Sequence, residues 1–199
     1  MATAFRYLKA WWPDQRGITG LETAIVLIAF VVVSSVFAFA VLSTGLYSSD
    51  KARETISAGL ESKRSTIVMK GSVILTASTT GASGVVSQIA LQVALAAGGD
   101  HADLTPGNTI IRYSDENQVR NFTNTTDFSA ANIASFGDSD TLLERGEIFE
   151  VKLLNLDTTL TTNLGTNTGF IIEVMTPLGA VLFISRATPG SLETTDILD

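Results

Sequence analysis

The sequence predicts an α+β chain: a long N-terminal hydrophobic helix followed by an antiparallel β-sandwich. Three observations carry this. The run from Ile18 to Ser49 is 32 residues long, and Glu22 is its only charged residue. From Ile67 onward the pattern changes to short alternating stretches rich in Thr, Ser, Asn and Gly. Near the C-terminus, GFIIEVMTPLGAVLFISR reads as two strands around Thr176-Pro177-Leu178-Gly179, a turn with proline and glycine where turn geometry favours them.

Residues 1–17, MATAFRYLKAWWPDQRG, are short, carry a net +2, and end in Arg-Gly. A secretory signal peptide places its apolar stretch before the cleavage site. Here the apolar stretch comes after the glycine, so a cut at Gly17 would leave it on the mature protein. Trp11, Trp12 and Pro13 suit a membrane interface, where tryptophan anchors.

The apolar run contains AIVLIAFVVVSSVFAFAVL and no proline. As a helix of 32 residues it is about 48 Å long, whereas a bilayer core takes roughly 20 residues. Its many β-branched residues favour strand in water. In lipid the backbone must satisfy itself, which selects helix. Past Ser49 the texture becomes polar, in DKARETISAGLESKRST, with Ile56 and Leu60 four apart and Lys63 and Arg64 where a helix C-terminus favours cations. One continuous helix is expected from about Thr19 to Arg64.

The remaining chain is expected to form seven or eight strands over Ile67–Thr188. VVSQIALQVALAAGG puts Ile89, Leu91, Val93 and Leu95 on one face. NTIIRYSDENQVRNF gives strands around Thr109–Tyr113 and Val119–Phe122, with Asp115-Glu116-Asn117 as the turn. EIFEVKLLN supplies another strand around Phe149, Val151 and Leu153. Leu104-Thr105-Pro106-Gly107 reads as a loop, and Asn121–Asp140 and Thr158–Thr168 as polar loops or strand margins. Strands at this spacing suggest a sandwich.

Composition narrows the function. Net charge is −7, and a chain starting at Ile18 would carry −9. That argues against nucleic acid, which needs a basic footprint, and suits a surface that must stay soluble. With no cysteine there is no disulfide framework, so stability must come from packing or assembly. One histidine and no cysteine leave the common nucleophilic triads almost no material. No phosphate-binding loop or dinucleotide fingerprint is present. No enzymatic activity and no cofactor are expected. His101 sits between Asp100 and Asp103 as an ordinary surface-loop residue would, and Asp138, Asp140 and Glu144 lack the spacing of a calcium loop, so no metal is expected.

Two features remain. Asn121-Phe122-Thr123 and Asn124-Thr125-Thr126 are adjacent N-glycosylation acceptor patterns, making Asn121 and Asn124 candidate sites. Glu22 lies five residues after Gly17. A carboxylate near the end of a membrane helix is costly without a partner. Two readings stay open. Glu22 is solvated at the interface, or it pairs with a free amine on Ile18 of a neighbouring subunit, created by cleavage between Gly17 and Ile18.

Arg16-Gly17 before Ile18-Thr19-Gly20-Leu21-Glu22, then TAIVLIAFVVVSSVFAFAVL, resembles the class III leader and helix of type IV pilin-like proteins. Within that superfamily, GLETAIVLIAFVVV and SSDKARETISAGLESKRSTIVMKGSVI are most similar to the archaellins, the archaeal-type flagellins. The match is close over residues 16–75 and looser beyond. The tryptophan pair and Pro13 belong to no family motif. The resemblance implies three parts: residues 1–17 as a leader, removed; 18–65 as a filament-core helix; and 66–199 as an outer, immunoglobulin-like β-sandwich. It implies that a prepilin-like leader peptidase cuts between Gly17 and Ile18. It also implies that the subunit waits in the membrane, and that archaellum assembly and motor machinery extract it into an extracellular homopolymer used for swimming. N-glycosylation is common in that family. The alternatives are an adhesive type IV pilus subunit, which shares the leader and helix, and a membrane-anchored surface binding domain. The latter predicts an uncleaved leader and a chain that stays monomeric in detergent.

Overall fold

The computed structural model describes residues 16–134 and 137–198; leader residues 1–15, with Trp11, Trp12 and Pro13, lie outside them. The chain divides into two compact units, Met1–Thr55 and Ile56–Asp199. The described part of the first is one helix, α1 (Arg16–Arg64), whose last turns belong to the second unit. It begins three residues ahead of the expected Thr19 and ends at Arg64 as expected, with Lys63 and Arg64 in its last turn.

The second unit is a sandwich built from β1 (Ile67–Met69), β2 (Val73–Thr79), β3 (Val85–Leu95), β4 (His101–Asp103), β5 (Ile110–Asp115), β6 (Val119–Phe122), β7 (Phe128–Asn132), β8 (Leu142–Glu144), β9 (Phe149–Leu153), a single helical turn α2 (Leu156–Thr159), β10 (Gly169–Met175), β11 (Leu182–Ala187) and β12 (Thr195–Leu198). One sheet runs β12-β2-β3-β9-β7, with β1 also on β3; the other runs β11-β10-β5-β6; β4 and β8 pair separately. Every pairing between these strands is antiparallel.

Alternation puts one side of each sheet into a common core. Leu75, Ile89, Leu91, Val93, Phe149, Val151 and Leu153 enter it from the first sheet; Ile111, Tyr113, Phe122, Phe170, Ile172 and Val174 enter it from the second. The Tyr113 and Phe170 rings stack with centroids 6.3 Å apart. β1 and β2 lie along the same edge of β3, interrupted at Lys70–Ser72. Gly71 adopts φ +97°, a left-handed conformation that favours glycine, and Lys70 N donates to Gln92 O at 2.7 Å across the break.

The turn expected at Asp115-Glu116-Asn117 is organised by Asp115 itself. Its Oδ1 accepts hydrogen bonds from the backbone of Asn117 (2.7 Å) and Gln118 (2.9 Å), and its Oδ2 accepts one from the Tyr113 hydroxyl (2.8 Å). Burial pushes this carboxyl up, but those donors outweigh it and hold it below the ordinary aspartate value. Burial and the neighbouring Asp115 carboxylate push the Tyr113 phenol well above its ordinary value, so the ring keeps its proton and its donor role.

Several expectations differ from the structure. Twelve strands are described, not seven or eight, and β12 lies beyond Thr188. The extra strands β1, β4 and β8 have three residues each, too short to show a period. β7 lies within the segment read as polar loop or strand margin. Its FSAAN sequence has little apolar alternation, and its place is set by pairing along β9. The last hairpin closes through 176–181, longer than a four-residue turn. There Gly179 approaches the Ser65 carbonyl so closely that a Cβ would collide with it.

Candidate assembly helix and processing junction

The residues of α1 from Ala24 to Val33 are all apolar: AIVLIAFVVV. At about 100° of turn per residue, ten successive apolar side chains leave no polar face. Every described side chain from Gly20 to Arg64 is exposed, Phe37 at 71% and Phe39 at 73%. Eighteen large hydrophobic side chains on the helix stand in this condition. At about 1.5–3 kcal/mol for each when fully buried, their transfer from water is worth on the order of tens of kcal/mol. A helix of this kind is stable only when something apolar surrounds it.

Two of its polar side chains are satisfied within the helix. Ser35 Oγ donates to Val32 O at 2.8 Å, and Thr44 Oγ1 to Ala40 O at 3.0 Å. Those two hydroxyls therefore make no demand on water, which suits burial in lipid or in a protein assembly. The helix is long and apolar enough to cross a membrane.

The candidate processing residues Gly17 and Ile18 lie in the first turn of α1. Glu22 follows on the same helix, four residues after Ile18, with its side chain exposed. Helical spacing thus places residues 18 and 22 along one side of α1.

The two glycosylation candidates occupy different settings. Asn121 is on the edge strand β6, where its Oδ1 accepts a hydrogen bond from Arg112 Nε at 3.3 Å; the next residue, Phe122, is buried in the core. Asn124 lies in the turn before β7, and Asn124, Thr125 and Thr126 are all exposed. Its carbonyl accepts hydrogen bonds from Asp127 N and Phe128 N, which fix the turn, and its exposed side chain makes only a long contact, Nδ2 donating to Asp127 Oδ2 at 3.5 Å.

His101 Nδ1 is 3.7 Å from Asp100 Oδ2, and His101 faces Glu144 across the β4–β8 pair. Asp138 and Asp140 accept hydrogen bonds from the backbone of Asp140 and Leu142. Among the described residues, no three His, Asp or Glu side chains gather as a metal would require. One buried carboxylate was not legible in the sequence. Glu147 is 3% exposed, and its oxygens accept hydrogen bonds from Asn132 Nδ2 (3.0 Å) and Glu144 N (2.8 Å). Gly137 presses against it so closely that no side chain would fit, and at φ +100° the backbone there also favours glycine. The Glu144 bond closes a local turn, while the Asn132 bond reaches across fifteen residues, which no local pattern reveals.

Comparison with known proteins places this arrangement. The family model for archaeal-type flagellin matches residues 17–186. "Probable flagellin 1" of Archaeoglobus fulgidus is 31% identical, over 97% of this chain and 98% of its own length. "Probable flagellin 1" of Aeropyrum pernix is 34% identical, over 90% of this chain and 95% of its own length. The fold resembles that in the archaeal flagellum of Methanospirillum hungatei, with a TM-score of 0.66 and 24% identity, covering 90% of this chain and 99% of that one. Flagellin FlaB1 of Methanocaldococcus jannaschii has a TM-score of 0.55 and 15% identity, covering 67% of this chain and 96% of that one.

Proposed function

The chain belongs to the archaeal-type flagellin family and is a structural subunit of the archaellum filament; from that premise we propose how it is processed, held together and used. A leader peptidase of the prepilin type cuts between Gly17 and Ile18. The subunit waits in the membrane by α1. Archaellum assembly machinery then moves it into a homopolymer at the cell surface, and the motor turns that polymer for swimming. Residues 18–65 form the filament core and 66–199 the outer wall. The chain performs no catalysis of its own.

One observation carries the reading: α1 is apolar on every side over Ala24–Val33, and its large hydrophobic side chains stand exposed in the single chain. Copies of the same helix can enclose each other, which supplies the missing cover. In that core the amine of Ile18 on one subunit pairs with Glu22 of a neighbour, so neither charge is buried alone.

Deletion of this chain in a host with no sibling subunit is expected to abolish surface filaments and swimming, and the wild-type gene to restore both. Normal swimming in that strain would overturn the motility role and favour an adhesive pilus subunit.

The exposed turn makes Asn124 the better glycan acceptor of the two. Asn124→Gln is expected to remove the glycan mass from the filament subunit, while Asn121→Gln leaves it unchanged. Intact-protein mass spectrometry reads both, and the reverse result would reassign the site.

A further inference from the structure

The two sheets differ on their outward sides. On the β12-β2-β3-β9-β7 sheet those positions mix Thr76, Gln88, Gln92, Glu150 and Lys152 with Ile74, Ile197 and Val68, the last two 67% and 40% exposed. Polar and charged side chains of the central strands β3 and β9 interrupt its apolar positions, as on an antiparallel sheet that meets water. On the β11-β10-β5-β6 sheet the outward rows carry Ile110, Met175, Ile171, Val119 and Phe183, with Val181 just before β11. Val119 is 65% exposed and Phe183 58%. The only charges in these rows are Arg112 and Glu173, which neutralise each other at 3.4 Å.

We propose that this outward face, centred on Phe183, is where neighbouring copies of the chain touch in the filament, an inference that rests on the filament reading above. Charge identifies the occupant. Residues 66–199 hold six Lys and Arg against fifteen Asp and Glu, a net −9. Copies of so acidic a domain repel one another over most of their surface. Each outer face holds one internal ion pair, Glu150 with Lys152 on the first sheet and Arg112 with Glu173 on the second, and the second carries the larger apolar patch; there two copies approach without that opposition and contact removes more hydrocarbon from water. A basic partner would be drawn to the acidic surfaces instead. Asn121 ends the row Phe183–Glu173–Arg112–Asn121, so a glycan there would fill the same space. The interface therefore requires Asn121 bare and the sugar elsewhere.

The chain has no cysteine, so a single introduced thiol gives a clean report. Ser185→Cys is a near-isosteric change on the exposed side of β11, in this face. Ala131→Cys, exposed on the outward side of the other sheet, is the reference. Maleimide labelling is timed in purified filaments and again after acid dissociation. Relative to the reference, the thiol at position 185 is expected to react at least about tenfold more slowly in filaments, with the protection lost on dissociation. Equal relative rates in both states would overturn the interface. Protection that persists after dissociation would also overturn it, because the cover is then carried by the subunit itself, as a glycan at Asn121 would be. Phe183→Asp adds a second reading. It is expected to lower the temperature at which filaments dissociate without shifting the melting of the dissociated subunit; unchanged dissociation counts against the proposal. Failure of the wild-type chain to form filaments would instead bring down the filament reading, and the interface with it.

Discussion

Gly17→Val is expected to yield subunits that all retain residues 1–17, remain in the membrane fraction, and form no filaments. The β-branched side chain obstructs a peptidase that recognises a small residue at the cut. Without cleavage no amine forms on Ile18, and the basic leader stays attached to the end of α1 that must enter the core. An all-or-none effect is expected, because in the proposed pathway both the charge pair and entry into the assembly depend on the same bond. Gel mobility and N-terminal sequencing check the leader, and electron microscopy of the medium checks the filament. Glu22→Gln separates the two consequences. Its leader is expected to be removed normally, while the processed subunit accumulates unassembled, because in the proposed pairing the Ile18 amine loses its counter-charge. Filaments of normal length from Glu22→Gln would favour the other reading, a solvated interfacial carboxylate.

Phe149→Ala is expected to destabilise the β-sandwich by about 3–5 kcal/mol, the usual result of removing a buried aromatic side chain and leaving a cavity. Phe149 is completely buried and lies opposite Val93 on one side and Asn132 on the other, so both neighbours of β9 feel the loss. Domain stabilities are commonly about 5–15 kcal/mol, so this removes a large part of the total and lowers Tm by roughly 10–20 °C. Phe183→Ala, on the exposed face, is expected to change dissociated-subunit stability by no more than about 0.5 kcal/mol. The probe is already in the domain. Tyr113 is the only tyrosine in residues 66–199, and it is stacked on Phe170. Near-ultraviolet circular dichroism of the processed subunit in detergent follows that ring as the sandwich melts. Equal melting temperatures for the two variants would place Phe149 outside the cooperative core.

The difference between those two phenylalanines marks what a linear reading can see. Both lie in apolar alternating stretches, EIFEVKLLN and AVLFISR. The first faces the other sheet and the second faces outward, and only pairing decides which. Alternation within one strand identifies two faces but does not always say which is covered, particularly when both carry apolar residues.

The sequence by itself determined the long helix, its end at Arg64, and most of the larger strands, because these depend on local composition and period. A 32-residue stretch with one charge has few physical options, and alternating β-branched residues bounded by Gly, Asn and Pro have few others. The proposed junction at Gly17 and Ile18, Glu22, and both asparagine candidates are sequence motifs for the same reason: each is a short, contiguous pattern. Only the tertiary structure decided the rest. β7, β12 and the three-residue strands exist because a partner strand offers hydrogen bonds. Glu147 is held in a buried place by Asn132, which reaches it from fifteen residues away, as well as by Glu144 in its own turn. Asn121 and Asn124 share one motif type, yet a strand edge holds the first against Arg112 while a turn presents the second to solvent. The apolar outer face emerges only when β11, β10, β5 and β6 are laid side by side in register. Each of these depends on contacts between residues far apart in the chain, whose energies no local window contains.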